Sequence, residues 1–551
     1  MKHATANTFK PASINVEPSD IVPLAATETP SHGKYHSGSQ STESLGTLAI
    51  PTLYLRFALP MAFAMMLSGS YNLVDSYFIL KYIGADALAG VTIAFPLQMM
   101  IFALACMIGN GTATLVSRFL GANEFDKASQ IANTGFALAL ACGVIVTVVS
   151  LGQLNNLLAF IGVSSTLALA ATEYLQPILC FSLFTFLLSL SGDLLRAQGK
   201  VVVMLLVILL SAVMNILFDT LFIAVLEMGV CGAAWATVAG QCVSLFIAVV
   251  YFVPNNHFAN KQALHRQAAQ PICFRIEQIK LNLTEIKAIL GLGSPILLSY
   301  LGIACVISLV NHILVSHLAN VVPNTPAANE VAYMISAYGL IGRFNIFIAL
   351  PLMALTSAAQ TISAYNYGAM ASSRVLACAK WGIVLTCCYL SVVTIIFMGF
   401  PTSVFGVFTD NHSLIAACIK ISSVTFIALP LAGITGIAIA MYQGTNRPKL
   451  ALLLSGIKIY GLLLPLLVLL PQLSFTDISF ITGVLNINIM PNALIELWMA
   501  FPIADILACL LSLLIISIWP FIQVPRQIES VMEVMQNEVS QYERLKCYRI
   551  K

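Results

Sequence analysis

The chain has 551 residues, of which 59% are hydrophobic and only 9% charged, with a formal net charge of +3. A soluble domain carries about 25% charged residues, and no water-soluble fold of this length could bury so much apolar side chain, so the solvent must be lipid. So small a net charge argues against a nucleic-acid partner. The 13 cysteines lie mostly singly in apolar runs with no Cys-x-x-Cys spacing, and read as packing residues rather than a metal or redox set.

Residues 1–46 are rich in Ser, Thr, Pro, Ala and His without apolar periodicity, which predicts a disordered tail. No apolar segment follows Met1-Lys2, so the start is not a signal peptide. From Leu48 onward apolar runs alternate with short polar breaks, giving spans at 53–80, 87–117, 130–152, 166–191, 200–226, 230–253, 288–316, 331–360, 375–400, 412–440, 450–471 and 493–518. Each is near or above the ~20 residues that cross the hydrocarbon. The fold class is therefore an all-α polytopic membrane protein with twelve transmembrane helices. Basic residues gather in alternate connections, among them Arg118, Lys127, Arg196, Lys200, Lys261, Arg266, Arg374, Lys380, Arg447 and Lys449, and in the tail that holds Arg526 and Lys551. The opposite connections hold Lys81 and little else basic. The positive-inside rule then predicts an inner-membrane protein with both termini cytoplasmic.

The connection 254–287 is polar and basic, and Ile276, Ile279, Leu283 and Ile286 are spaced for an amphipathic interfacial helix. It divides the chain into a first six-helix lobe over 47–253 and a second over 288–518, followed by a cytoplasmic C-terminal tail over 519–551. The halves repeat. Leu59-Pro60 answers Ser294-Pro295, Gly121-Ala122 answers Gly368-Ala369, Gln198-Gly199 answers Gln443-Gly444, and Trp235 answers Trp498. An even number of helices per half makes the repeat parallel, related by an axis along the membrane normal, an architecture typical of transporters.

Ionisable groups inside hydrocarbon are expensive and usually serve ions, protons or charged cargo. Asp75 in the first span and Asp219 in the fifth stand out on that ground. Asn215 shares a helix face with Asp219, four residues away. Several motifs occur in order: Tyr71-Asn72-Leu73-Val74-Asp75, Gly84-Ala85-Asp86-Ala87-Leu88-Ala89, Arg196-Ala197-Gln198-Gly199, Asn215-Ile216-Leu217-Phe218-Asp219, Gly232-Ala233-Ala234-Trp235-Ala236-Thr237 and Tyr365-Asn366-Tyr367-Gly368-Ala369. Together they make the chain resemble the multidrug and toxic compound extrusion (MATE) family over roughly 50–520. The resemblance implies two six-helix lobes forming a V and export of mostly cationic amphipathic drugs against inward flow of Na⁺ or H⁺. It also implies that Asp75, Asn215, Asp219 and Thr237 form the cation or proton site.

Depth agrees with that assignment. Counting along helices of alternating direction at ~1.5 Å per residue sets Asp75, Asp219 and Thr237 at similar depth in the outer half of the membrane. Two carboxylates, an amide oxygen, a hydroxyl and a backbone carbonyl near Ala233 make a hard oxygen cage for Na⁺, or a pair of carboxyls that share a proton. The second lobe departs from those relatives that carry acids in the seventh and tenth helices. Here the seventh offers Asn311 and His312, and the interior of the tenth has no acid, so coupling is expected in the first lobe only. Tyr71, Met99 and Tyr338, with Phe95 and Phe344, are candidates to line an adaptable drug cavity, although at helical spacing such residues are more often packing. Arg343 and Asp505 both fall near the bilayer midplane of the second lobe. They either pair, or leave Arg343 facing the cavity and Asp505 meeting a proton or the drug.

No nucleotide loop, His-Glu-x-x-His, nucleophile elbow or paired His/Ser set occurs, so an enzyme is not expected. No cofactor is expected beyond Na⁺ or H⁺ as the coupling ion. The expected partners are small-molecule drugs or organic cations and the lipid bilayer, with the protein acting as a monomer. A flippase for lipid-linked oligosaccharide or polysaccharide, of related architecture, is the alternative.

Overall fold

A computed structural model describes residues 40–161, 165–252, 282–319, 326–472 and 495–522. Among them every regular element is a helix. A short helix α1 (Gln40–Thr47) precedes the first span, α2 (Ile50–Tyr82). Spans two and three are α3 (Ala85–Gly121) and α4 (Phe125–Gly152), and a short α5 (Leu154–Ile161) follows. The fourth span is broken into α6 (Ser165–Cys180) and α7 (Ser182–Ala197), bent by 55° one turn after Pro177. The fifth is α8 (Val201–Asp219), which runs straight into a π-helical segment, Thr220–Val225. The sixth is α9 (Gly229–Phe252).

The second half repeats this order. It comprises α10 (Leu283–Ala319), α11 (Pro326–Gly368) and α12 (Ser372–Gly399), with the short α13 (Pro401–Gly406) after them. The tenth span is again broken, into α14 (His412–Thr425) and α15 (Leu429–Gly444), with a 52° bend. Pro430 sits at the start of α15, where its missing N–H does no harm, but it could not continue an unbroken helix. The eleventh is α16 (Pro448–Gly456), a π-helical segment Ile457–Leu463 and α17 (Leu464–Leu469). The twelfth is α18 (Ile495–Ile518). Among the described residues ten helices are long and apolar enough to cross a membrane, and counting each bent pair as one span makes twelve. The twelve-helix, two-lobe expectation holds.

The lobes meet at the end that carries Arg118, Arg196, Arg374 and Arg447, called the basic end below. There a single apolar core runs from Leu53, Phe57 and Leu120 through Ile289 and Ile362 to Tyr442 and Leu454, so both lobes share it. Toward the far end a second core, with Val310, Ile341, Phe397, Ile421 and Trp498, belongs to the second lobe alone. Backbone crosses backbone at the shared end. A Cβ on Gly121 would lie 1.9 Å from the Tyr365 carbonyl oxygen, and one on Gly368 would lie 1.9 Å from that of Arg118. Gly121 and Gly368 are repeat mates, each three residues after the residue the other touches, so the contact has the pseudo-two-fold form of the repeat. Only glycine permits so close an approach of two helices.

Polar bonds reinforce the seam. The Asn110 and Gln360 side-chain amides donate to one another at 2.9 and 2.7 Å, and Gln360 also donates to Thr114. Ser117 donates to the Thr361 carbonyl, and Gln130 and Thr134 both donate to Glu285. Arg196, almost wholly buried, pairs with Asp193 on its own helix at 2.8 Å and donates across the seam to the Ser357 carbonyl and the Thr361 hydroxyl.

Three expectations need correction. The end of the tail that composition predicts to be disordered is the helix α1. Its Leu45 is fully buried, Thr42 donates to the Gln198 carbonyl of the first lobe, and Asn366 and Arg374 of the second lobe donate to the Leu45 carbonyl. Tertiary hydrogen bonds, not periodicity, hold it. The seventh helix starts at Leu283, inside the stretch expected to be linker, because its first turn packs against α4 through Glu285. The predicted ion pair between Arg343 and Asp505 does not form: Arg343 is exposed, and the Asp505 carboxylate instead takes the Lys458 ammonium at 2.9 Å. The remainder of the tail, the interfacial helix before Leu283 and the C-terminal tail beyond 522 lie outside the described residues.

Candidate functional site

Three helices of the first lobe pack together around Asp75, with α2 lying against α8, its π-helical extension and α9. Small residues bring α9 close to α8: a Cβ on Gly240 would stand 2.9 Å from the Ser211 carbonyl oxygen, and Ala233, Ala234 and Ala236 are fully buried. This tight seam sets Asn215 of α8 opposite Thr237 of α9, and the amide donates to the hydroxyl at 3.3 Å. Asp219 ends α8 and is fully buried, while Asp75, Asn215 and Thr237 are each at most 6% exposed. The expected ligands Asp75, Asn215, Asp219 and Thr237 therefore come from three helices into one buried neighbourhood, and Asp75 lies within electrostatic reach of Asp219. Ala233 sits on α9 one turn before Thr237, and the helix ladder engages its backbone.

The site is short of positive charge. Asp75 Oδ1, Asn215 Oδ1 and both Asp219 carboxylate oxygens are buried without a hydrogen-bond partner, and among the described residues no basic side chain pairs with either carboxylate. Buried acceptors are almost always satisfied, so four orphans in one site mark a place built for something else to fill. Oxygen donors of this kind suit a hard cation or a proton. No group of three His, Cys, Asp or Glu side chains that would suit a structural transition metal occurs among the described residues. The π-helical turn beginning at Thr220 loosens the backbone directly beside Asp219, a distortion found mostly at functional positions.

The other candidates disperse. Met99 and Phe95 are partly buried on α3, and Tyr338 of α11 packs its ring on Trp498 at 5.4 Å. Phe344 belongs to an aromatic cluster with Phe397, Phe405 and Phe408 in the second lobe's own core. The Tyr71 side chain falls outside the described residues. Asn311 and His312 are exposed on the outer half of α10. Two charged features escaped the sequence: the Asp193–Arg196 pair at the seam and Lys458. Lys458 interrupts the apolar run 450–471, and the rule that singles out Asp75 applies to it equally.

The model of the MatE family matches residues 60–221 and 332–469, one segment in each lobe. The multidrug export protein MepA of Staphylococcus aureus is 24% identical over 404 residues, covering 72% of this chain and 82% of that protein. Its counterpart in Staphylococcus haemolyticus is 23% identical over 395 residues, covering 72% and 81%. Among solved structures, a MOP-superfamily transporter from Pyrococcus furiosus superposes with a TM-score of 0.72 at 21% identity, over 88% of this chain and 97% of its own. With the family model matching more than half of its length, in both repeats, the chain belongs to the MatE family of multidrug and toxic compound extrusion proteins.

Proposed function

We propose that the protein exports cationic amphipathic compounds from the cytoplasm in exchange for Na⁺ or H⁺ bound in the first lobe. The observation that carries this reading is the set of four orphaned, buried acceptor oxygens on Asp75, Asn215 and Asp219. The export function of the staphylococcal relatives supports it. The basic end faces the cytoplasm, as the positive-inside rule requires, both termini lie on that side, and the protein acts as a monomer in the inner membrane. The seam of Gly121, Gly368, Asn110 and Gln360 is then a closed cytoplasmic gate.

In this mechanism a cation or proton arriving from outside binds between Asp75 and Asp219, offsets one of their two charges and draws α2 toward α8 and α9. A ligand shifts a conformational equilibrium only by its differential affinity for the two states, and here the ion favours the state in which the three helices close around it. Movement of α2, which also packs on α11, carries that closure to the gate between the lobes. Cargo and ion bind to alternate states, so exchange is coupled without a covalent step.

Purified protein in proteoliposomes, with Na⁺ and pH gradients imposed separately, tests the reading. Asp75→Asn and Asp219→Asn should each abolish gradient-driven ethidium transport while the protein remains inserted. Near-normal transport by either variant disposes of the assignment.

A further inference from the structure

The seam between the lobes has two edges that the repeat makes equivalent. On one, α3 and α4 of the first lobe meet α10 of the second; on the other, α11 and α12 of the second lobe meet α2 of the first. In the register of Pro60 and Pro295, Ala58 answers Gly293 and Ile50 answers Glu285. In the register of Gly121 and Gly368, Ala358 answers Gly111, Ala377 answers Gln130 and Trp381 answers Thr134. The edges share a fold and differ at every one of these positions.

A Cβ on Gly111 would overlap the Ile289 carbonyl oxygen, and one on Gly293 would overlap that of Met107. Helices α3 and α10 therefore touch backbone to backbone at two points one turn apart, an approach that only glycine allows. On the other edge Ala58 and Ala358 carry real Cβ atoms, which do not come within 3.0 Å of another heavy atom, so α2 stands farther from α11. The polar fastenings differ in the same sense. Glu285 at the start of α10 accepts from Gln130 at 2.7 Å and Thr134 at 2.9 Å on α4, and bonds to a carboxylate are roughly twice as strong as neutral ones. Ile50 and Ala377, in the matching places, offer no polar side chain. Between α2 and α12 stands the neutral bond from the Tyr54 hydroxyl to the Cys378 carbonyl, at 2.9 Å.

We propose that the seam opens as a hinged door: α10 stays seated on α3 and α4, and α2 parts from α11 and α12. The proposal rests on the export reading above, in which the seam is the cytoplasmic gate. Gly111 lies ten residues before Gly121, so the α3–α10 crossing is about 15 Å deeper in the membrane than the Gly121–Gly368 contact. A pivot at that depth lets the basic end part while the two helices stay engaged. The edge that parts is the one made by α2, the helix that brings Asp75 to the ion site, so a shift of α2 toward α8 and α9 acts on it directly. Helix α1 need not follow. The chain leaves the helical path at Leu48–Ala49, and Arg374 and Asn366 hold α1 to the second lobe, so α2 can move away at the loss of the Thr42 bond to Gln198.

Electron–electron distance measurements on the full-length protein in lipid nanodiscs test this, with spin labels carried on ketone-bearing side chains so that the native cysteines remain. One label pair, at Thr52 and Ser373, reads the α2–α12 edge; its repeat mate, at Lys287 and Asp126, reads the α10–α4 edge, and all four positions are exposed. On Na⁺ loading or acidification the first distance should lengthen by roughly 5 Å and the second by no more than about 2 Å, the scale of ordinary helix adjustment. The double variant Ala58→Gly with Ala358→Gly lets α2 settle on α11 as closely as α10 does on α3. It should lose the lengthening at Thr52 and Ser373 and slow gradient-driven ethidium transport in proteoliposomes about tenfold. Equal lengthening at the two edges, a larger change at Lys287 and Asp126, or a double variant with normal distances and transport overturns the hinge and leaves the export reading standing. No change at either pair overturns the gate itself and the hinge with it.

Discussion

Where the first span packs on the fifth and sixth, the first lobe buries two aspartates with no counter-charge among the described residues, and four acceptor oxygens on Asp75, Asn215 and Asp219 go unsatisfied. Between the eleventh and twelfth spans the second lobe holds one half-buried aspartate and supplies its own lysine. The two arrangements stand on repeat mates, and each span pair contains a π-helical segment, set late in the fifth span and early in the eleventh. An unsatisfied cage draws its partner from solution and makes the lobe's conformation depend on that partner. A satisfied pair contributes to the lobe's cohesion and calls on nothing from solution.

The contrast can be broken from either side. The largest effect is expected in the first lobe, where Asp75→Asn or Asp219→Asn should remove essentially all gradient-driven transport in proteoliposomes. Neither should lower the apparent Tm by size-exclusion thermal shift, since each removes a buried charge that has no partner. In the second lobe the order reverses. Lys458→Ala or Asp505→Ala should each lower stability by stranding the other charge, by less than the roughly 3–5 kcal/mol of a fully buried pair because the side chains are 28% and 14% exposed, while the double variant should recover part of that loss. Strictly additive destabilisation in that cycle would show that the pair is not coupled.

A smaller effect concerns the seam both lobes share. A methyl group on Gly121 or Gly368 has nowhere to go against a carbonyl oxygen 1.9 Å away, so Gly121→Ala should force the helices apart. The expected size is about 1–3 kcal/mol against the closed gate, of the order seen for overpacking, read as increased labelling of a cysteine placed at Thr361. Smallest of all are Asn311→Ala and His312→Ala, which should leave the Na⁺ and pH response unchanged. Loss of that response in either variant would put coupling into the second lobe.

The first-lobe site was legible because each of its members obeys a rule that needs only one helix: a charge inside hydrocarbon, or two polar groups four residues apart. Lys458 obeys the same rule, but a long basic side chain in a span can carry its charge several ångströms along its own stem, so its position alone does not name a partner. Arg343 itself failed for another reason: depth follows from counting residues, whereas rotation about the helix axis depends on what packs beside it. The bends in the fourth and tenth spans were signalled by Pro177 and Pro430, although a proline inside a span does not say whether the helix kinks or continues. Helix α1 offered no signal at all. Within Gln40–Thr47 the one large apolar side chain is Leu45, too little for any periodicity.

That helix has a consequence for how the molecule is put together. Its Leu45 carbonyl accepts from Asn366 and Arg374, 321 and 329 positions later in the chain. During synthesis α1 emerges before any span, yet its burial site does not exist until the eighth and ninth spans have entered the bilayer and met the first lobe. Seating of Leu45 therefore comes late in biogenesis, and a chain whose second lobe stalls keeps α1 loose and open to proteases. A segment made before any span thus serves as the marker that assembly has finished.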